Sequence, residues 1–291
     1  MRVLVTGAGG LLGGRIAALL QERGYDVVGA RRHTPPPPAL RSVRADLTDP
    51  TALEALFDRE SPSAVVHCAV VQAGQCLEHP DLAEEVNARL PGRLGVLCRG
   101  RGIRLIGLST DLVLGGEQAF SDESHAAPVS RYGRTKLAGE EALLAAHPSA
   151  AVARVPLVVG RGHGPRATAS EGVAWGLREG RRLRLFTDEL RTPTDPESVA
   201  GALALLLQRG GAGRFHLGGP ERLSRYELGI RTARALGLPP PGVEAALQAD
   251  HSGPEPRAAD TSLDSSRARR ELGWAPRPLD EALAESRATP G

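Results

Sequence analysis

The sequence predicts an α/β fold whose parallel sheet is doubly wound, with helices on both faces. Short apolar runs alternate with stretches of helical periodicity over the first 160 residues, which is typical of strands joined by crossover helices. The first apolar run, residues 2–6, passes at once into a glycine-rich turn and then into a helix, an order with which such sheets often begin.

Composition excludes several classes of protein. A length of 291 residues is enough for one large core or two small ones. The net charge of +2 argues against a nucleic-acid partner, and the absence of a long apolar run argues against a membrane span. The three cysteines lack metal-binding spacing and are expected to be reduced thiols, so neither a metal nor a disulfide is expected. Because the chain enters a strand pattern at Met1, no signal peptide is expected, and the predicted location is cytoplasmic.

Three glycines at regular spacing occupy the turn after the first strand. Gly7, Gly10 and Gly13 form a G-x-x-G-x-x-G pattern, and a helical pattern follows it. Glycines permit the tight turn and let the backbone approach a pyrophosphate at the helix N-terminus. The pattern therefore predicts a dinucleotide site, with expected contacts from Gly7, Gly10, Leu11, Leu12 and Gly13.

The end of the second strand, residues 26–30, indicates which dinucleotide is bound. Arg31 and Arg32 close this strand, and no acidic residue stands beside them. An acidic residue at this place usually binds a free ribose 2′-hydroxyl, whereas arginine accommodates a 2′-phosphate. We therefore expect NADP(H) in preference to NAD(H), with NAD(H) still allowed.

Two further segments are expected to line the cofactor site. One is the pair Asp46 and Leu47, which precedes a helix capped near Thr48 or Asp49. The other follows a buried strand, residues 64–69, that ends in small residues. Ligands bind beyond the carboxyl ends of parallel strands, so the backbone there can face the cofactor. The expected contacts are Asp46, Leu47, Cys68, Ala69 and Val70.

The candidate catalytic residues come after the next strand, residues 103–108. Thr110 lies just beyond its carboxyl end. The following helix, with Ser130 as its expected N-cap, carries Tyr132 and, four residues later, Lys136, the only lysine in the chain. Residues four apart on a helix share a face. An ammonium there would lower the pKa of the phenol, whose usual value is about 10, so the pair is suited to proton transfer.

The chain beyond residue 160 is expected to form a smaller α/β region that binds substrate. Residues 161–172 are rich in glycine and arginine and indicate a candidate substrate loop. The remaining pattern predicts strands at 151–155 and 213–217 and helices at 81–99, 196–208, 226–236 and 263–273, with no assignment for 239–262. We expect a dinucleotide-binding domain over 1–160 and a mainly substrate-binding region over 161–291, with roughly 196–217 returning to the first domain.

Several segments together resemble the extended short-chain dehydrogenases/reductases, and most of all their dTDP-4-dehydrorhamnose reductase branch. The segments that carry the resemblance span nearly the whole chain and are 6–13, 46–47, 109–113, 132–140, 191–194, 198–200 and 263–274. The resemblance implies a Rossmann fold and an NAD(P)-dependent oxidoreductase that acts on a nucleotide-linked 4-keto sugar.

The resemblance also implies a role for each candidate residue. Tyr132 would give a proton to the keto oxygen as the nicotinamide delivers a hydride, and Thr110 would hydrogen-bond that oxygen. Lys136 would lie beside Tyr132 and the cofactor ribose, so both count as cofactor contacts as well. Substrate contacts are expected from Thr110, Asp111, Leu157 and Arg191. The expected partners are the nucleotide sugar and, as one option, a second copy in a homodimer, with neither nucleic acid nor membrane.

Three segments depart from the pattern of that family. The strand after the catalytic helix continues into residues 157–160 without the aromatic residue that is common there. Residues 70–75 carry less charge than usual, and residues 112–116 lack the aromatics often found in the family. These departures indicate that the substrate pocket has changed while the catalytic pattern has not.

Two alternatives remain open at the level of the sequence. One is a nucleotide-sugar epimerase or dehydratase that retains NAD, which Arg31 and Arg32 disfavour. The other is a non-catalytic nucleotide-binding subunit resembling the β subunit of methionine adenosyltransferase. The complete set of Thr110, Tyr132 and Lys136 favours an enzyme over that subunit.

Overall fold

A seven-stranded parallel sheet forms the centre of the protein, in a computed structural model that describes residues 1–164 and 166–287. Its strands are β1 (Arg2–Thr6), β2 (Asp26–Arg31), β3 (Ser42–Arg44), β4 (Ala64–His67), β5 (Arg104–Thr110), β6 (Ala151–Val155) and β9 (Gly213–His216). Their order across the sheet is β3-β2-β1-β4-β5-β6-β9, and every neighbouring pair is parallel. The predicted parallel sheet is confirmed.

Helices cover both faces of this sheet because its strands are apolar on both sides. On β1, Val3 and Val5 belong to one buried cluster, and Leu4 between them belongs to another. The first cluster is completed by α1 (Leu11–Glu22), α8 (Pro196–Arg209) and α10 (Ser266–Leu272). The second is completed by α2 (Pro50–Glu60), α5 (Leu90–Gly100) and α6 (Arg131–Ala146). Burial of each such aliphatic side chain stabilises the fold by about 1.5–3 kcal/mol. The sheet is therefore doubly wound.

The helix expected over 81–99 contains a π-helical turn. After α3 (Ala73–Glu78), it begins as α4 (Pro80–Ala83), continues as the π-helical turn Glu84–Arg89 and ends as α5. Single π-helical turns are frequent at functional sites because they redirect side chains by one residue. Asn87 lies in this turn and is fully buried. The backbone here approaches α6 so closely that a Cβ at Gly139 would lie 2.0 Å from the Asn87 carbonyl oxygen.

The C-terminal part of the chain forms a smaller α/β layer at one end of the sheet. Strand β7 (Leu183–Phe186) pairs in parallel with β11 (Val243–Ala246), and β8 (Leu190–Arg191) pairs antiparallel with β10 (Leu223–Ser224). Helices α7 (Ala169–Arg178), α9 (Arg225–Ala235) and α11 (Leu279–Ala284) pack around them. None of these four strands was assigned from the sequence, and β11 falls within the unassigned residues 239–262.

The chain crosses from this layer back to the large sheet through α8 and β9. Strand β9 pairs with β6 at the edge of the large sheet, and α8 packs beside α1. Within the described chain, no helix combines the length and the apolar character that crossing a membrane would require.

Candidate active site

A cleft of about 280 Å³ opens at the carboxyl ends of β1 to β4. Segments that follow each of these strands line it, as expected for a ligand site in a doubly wound sheet. Among the residues expected to bind a cofactor, those that line the cleft are Gly7, Gly10, Leu11, Arg31, Arg32, Asp46, Leu47, Cys68, Ala69 and Val70. The structure thus brings together residues that are spread over more than sixty positions of sequence.

The glycine turn is held too tightly for any side chain. Gly7 has φ +67°, and a Cβ there would lie 2.7 Å from the Ala69 backbone nitrogen. A Cβ at Gly13 would lie 2.4 Å from the Gly7 carbonyl oxygen, so Gly13 packs against the turn and does not line the cleft. Leu12 is turned toward the apolar core, also away from the cleft. Their expected cofactor contacts therefore stay predictions.

The start of α1 can receive an anion. Gly10 is its N-cap and supplies no side-chain acceptor, and the first turn has no acidic residue. The backbone N–H groups of that turn are therefore available to a phosphate. Across the cleft, the Nε of Arg31 is buried without a hydrogen-bond partner in the described chain. A buried, unpaired donor is costly unless a ligand completes it, so the cleft fits the phosphates of a dinucleotide.

Basic residues surround the end of β2. Arg31 and Arg32 both reach His33, through the His33 carbonyl at 3.3 Å and its Nε2 at 2.8 Å respectively. Asp46, opposite them, accepts hydrogen bonds from the Thr48 hydroxyl and amide at 2.7 and 3.0 Å, and these bonds lower the pKa of its carboxyl. The only carboxylate that lines the cleft in the described chain is thus bound to its own turn.

A hydrogen-bonded group fixes the end of β4. The Thr6 hydroxyl accepts from the Cys68 and Ala69 amides and lies 2.7 Å from Nδ1 of His67. Burial, and then the charge of Lys136, lower the pKa of His67 to about 3, so this ring is neutral. Burial raises the pKa of the Cys68 thiol to about 12, against the influence of Lys136. Cys68 is therefore a protonated wall residue rather than a nucleophile.

Thr110, Asp111 and Tyr132 meet beside this cleft. Thr110 ends β5, and its hydroxyl donates to Asp111 at 3.1 Å. Tyr132, in the first turn of α6, packs against a buried cluster whose members Val71 and Val86 line the cleft. The Ser130 hydroxyl accepts from the Gly133 amide and caps that helix, as predicted. The β5–α6 junction therefore places the phenol between the cofactor cleft and the Thr110–Asp111 pair.

Lys136 lies one helical turn further on and is 6% exposed. Its Nζ donates to the Leu108 carbonyl at 2.7 Å. Burial lowers the pKa of Lys136 to about 8, although the Glu140 carboxylate opposes this. The expected lowering of the Tyr132 pKa is absent here: burial, and then the negative charge of Asp111, raise it, and a hydrogen bond with Thr110 only partly compensates. The phenol is therefore protonated, the form that donates a proton.

We name Asp111, Glu189, Arg191, Arg225 and Arg257 the buried ion cluster, because its centre, Asp111, Glu189 and Arg191, is buried. Arg225 is partly buried and Arg257 is exposed at its edge. Arg191 donates to Asp111 at 2.7 Å and to Glu189 at 3.0 Å. Arg257 binds the other oxygen of Glu189 at 2.7 Å. Burial lowers the pKa of Arg225 to about 10, against the attraction of Glu189. The cluster contains three arginines and two carboxylates, so it has one positive charge in excess. The expected contact of Arg191 with substrate stays a prediction.

The structure places a predicted substrate contact away from the cleft and adds residues that the sequence did not indicate. Leu157 packs on the apolar cluster of α11, away from the cleft. Asn87, the only asparagine, accepts from the Val71 amide at 2.9 Å and donates to the Val71 carbonyl at 2.8 Å and to Thr135 at 3.2 Å. It therefore fixes the cleft wall to the catalytic helix. That it is the only asparagine in the sequence was the one feature that could have indicated a structural role. Arg166, which the sequence indicated only as a candidate contact to a substrate diphosphate, also lines the cleft. Further lining residues that were not predicted are His33, Thr34, Gln72, Gln75, His79 and His163.

Comparison with known proteins relates the whole chain to one family. The family model of the RmlD substrate binding domain matches residues 1–289. The chain is 33% identical over 293 residues to a probable low-salt glycan biosynthesis reductase of Haloferax volcanii, covering 98% of this chain and 96% of that protein. It is also 33% identical over 299 residues to the dTDP-4-dehydrorhamnose reductase of Mycobacterium tuberculosis, covering 99% and 93%.

Two further comparisons bear on fold and function. A crystal structure of a hypothetical dTDP-4-dehydrorhamnose reductase from Sulfolobus tokodaii superposes with a TM-score of 0.86 at 27% identity, covering 99% of this chain and all of that one. The methionine adenosyltransferase 2 subunit beta of Pongo abelii is 30% identical over 248 residues, covering 82% of this chain and 73% of that protein. Within the described chain, no group of three or more histidine, cysteine or acidic side chains is arranged to hold a metal ion.

Proposed function

The chain belongs to the RmlD substrate-binding-domain family, and from that premise we propose that it reduces a nucleotide-linked 4-keto sugar to the alcohol with NAD(P)H. It is an NAD(P)-dependent oxidoreductase of the extended short-chain dehydrogenase/reductase type. The observation that carries the proposal is the meeting of Thr110, Asp111 and Tyr132 at the edge of the dinucleotide cleft. A proton donor and a hydrogen-bond donor are therefore close to the place where a nicotinamide can lie.

Each catalytic side chain has a distinct task in this reaction. When bound, the nicotinamide supplies the hydride. Tyr132 gives its proton to the sugar oxygen, and its buried, protonated phenol suits that task. Thr110 orients the oxygen through its hydroxyl. Lys136 carries positive charge below pH 8, so it stabilises the phenolate left after proton transfer.

The nucleotide diphosphate is proposed to bind at the buried ion cluster. Its one excess positive charge supports this, because a diphosphate placed near Arg225 would supply the missing negative charge. Arg257 is 36% exposed in its side chain and offers the approach from solvent. The dTDP portion of the substrate is proposed from the relatives named above.

The test is NADPH oxidation with a dTDP-linked 4-keto-6-deoxy sugar, followed by absorbance, for the wild-type chain and Tyr132→Phe. Loss of a positioned proton donor should reduce kcat by about 10²–10⁴-fold, because acid–base groups contribute that much. NADPH binding, measured by calorimetry, should not change. Tyr25→Phe is the matched control, since Tyr25 reaches only the Ala204 carbonyl at 3.4 Å, far from the cleft. Full activity of Tyr132→Phe would refute its role.

A nucleotide-binding regulatory subunit is the second candidate, and the likeness to a methionine adenosyltransferase subunit favours it. Such a protein would bind NADPH yet leave every 4-keto sugar nucleotide unreduced. The same assay therefore separates the two candidates. The expected homodimer stays a prediction, which light scattering of the purified chain tests.

A further inference from the structure

One wall of the dinucleotide cleft comes from the C-terminal half of the chain. We name residues 161–164 and Arg166 the crossing loop. His163 and Arg166 line the cleft together with the glycine turn and the basic end of β2. This segment was expected to be a substrate loop; two of its residues line the cofactor cleft, and its contact with substrate stays a prediction.

His163 joins the two phosphate-binding segments of the cleft. Its amide donates to the Leu11 carbonyl at 3.0 Å, in the glycine turn. Its ring Nε2 donates to the Pro35 carbonyl at 3.2 Å, immediately after the basic residues that follow β2. The crossing loop therefore spans from the start of α1 to the segment expected to receive a 2′-phosphate.

The first helix contains a glycine that makes space for this contact. Gly14 lies outside the G-x-x-G-x-x-G pattern, so the pattern does not account for it. A Cβ at Gly14 would lie 2.3 Å from the His163 ring and 2.9 Å from the Ala8 carbonyl oxygen, whereas real Cβ contacts are longer than 3.0 Å. The absence of a side chain at position 14 thus permits the ring of His163 to rest on α1.

The crossing loop is held at its base by a buried carboxylate. Glu171, fully buried, accepts from the Gly162 amide at 3.3 Å and from Arg287. Arg287 also donates to the Gly164 carbonyl at 3.2 Å and lies over the Trp175 ring. These contacts organise the loop before any ligand arrives, which reduces the entropy that binding must overcome.

Resting on the proposed function, we propose that the crossing loop is a third wall of the cofactor site. Arg166 binds a phosphate of the nicotinamide dinucleotide, and His163 positions the wall against the glycine turn and Pro35. Arginine is suited to this because its planar fork matches phosphate oxygens. The phosphate is either the 2′-phosphate of NADPH or the diphosphate that NADPH and NADH share.

The experiment measures NADPH and NADH dissociation constants by calorimetry for the full-length chain, Arg166→Ala and the control Arg178→Ala. Arg178 is exposed at the end of α7, outside the cleft, so it matches the change in charge. Arg166→Ala should weaken NADPH by about tenfold, as expected for one charge-assisted contact, and Arg178→Ala by less than about twofold. A loss for NADPH alone identifies the 2′-phosphate, and an equal loss for NADH identifies the diphosphate.

His163→Ala provides a second arm. It removes the ring that donates to the Pro35 carbonyl and leaves α1 and the glycine turn unchanged, so it should weaken NADPH binding by several-fold, while the melting temperature reports whether the chain remains folded. If the wild-type chain binds NADPH and Arg166→Ala binds it equally well, the third wall is wrong and the proposed function stands. Equal losses in Arg166→Ala and Arg178→Ala would also overturn it, since overall charge would then be responsible. No binding of either dinucleotide by the wild-type chain refutes the proposed function itself.

Discussion

The cofactor cleft and the buried ion cluster use arginine in opposite ways. In the cleft, Arg31 and Arg32 reach only His33, and neither forms an ion pair within the described chain. In the cluster, the Nε of Arg191 is unpartnered like that of Arg31, but its guanidinium is bonded to two carboxylates of its own chain. The comparison teaches that a basic residue in a ligand region can be held for a ligand or already neutralised. Removing Arg32 from the cleft should therefore weaken ligand binding, whereas removing Arg191 from the cluster should weaken folding.

The largest expected effect is that of Arg191→Met on stability. It leaves Asp111 without its bonded cation and Glu189 with one fewer, both in a buried place. Loss of one partner of a buried ion pair typically costs about 3–5 kcal/mol in the free energy of unfolding. Urea denaturation measures this loss at neutral pH.

The control for Arg191 is the double variant Asp111→Asn/Arg191→Met. It removes a positive and a negative charge together, so it should recover part of the stability that Arg191→Met loses. If Arg191→Met is as stable as the wild-type chain and only substrate binding suffers, then the cluster behaves like the cleft. The contrast between the two regions would then fail.

Lys136 is buried near Cys68, which lines the cofactor cleft, and its charge should make stability depend on pH. Its pKa is about 8 in the folded chain and 10.5 in the unfolded chain. Below pH 8 both states are protonated, and the folded state bears the full cost of a buried charge. Between these values the unfolded chain binds more protons, so stability rises with pH. The full gain is roughly 3 kcal/mol.

Lys136→Met isolates this contribution. Urea midpoints of both chains at neutral pH and near pH 9.5 give the change in their stability difference. As the pH rises, the free energy of unfolding of the wild-type chain should increase relative to that of Lys136→Met. The contributions of other titrating groups cancel in this difference. A stability difference that stays constant over this range would mean that Lys136 is not a buried cation in solution.

The cleft could largely be predicted from the sequence because its chemistry depends on local patterns. Gly7, Gly10 and Arg31 follow strands whose apolar runs are unambiguous, and strand ends in a parallel sheet meet at one edge. The crossing loop could not be assigned to this cleft, because its position depends on contacts between residues far apart, such as His163 with Pro35. Such a contact cannot be inferred from the spacing of residues in the sequence.

The ion cluster escaped prediction for a related reason. Its strands β8 and β10 are two residues long each, too short for any periodicity. The charge of Arg191 is evident from the sequence, but its neutralisation by Asp111, eighty positions earlier, is not. The direction of the Tyr132 pKa shift could not be predicted either. Helical spacing suggested an effect of Lys136, whereas burial and the charge of Asp111, which raise this pKa, depend on tertiary packing.

The smallest expected effect tests the cleft side of the comparison. Arg32→Ala removes an exposed guanidinium, so its effect on the free energy of unfolding should stay within about 0.5 kcal/mol. If Arg32 binds the 2′-phosphate, the NADPH dissociation constant should rise by about tenfold, the lower end for a charge-assisted bond in a solvated place. NADH lacks that phosphate, so its affinity should not change. Arg234→Ala, exposed on α9, controls for the loss of charge. An equal loss of affinity for NADPH and NADH would mean that Arg32 binds the diphosphate. Arg32 would then not be the cause of a preference for NADP(H).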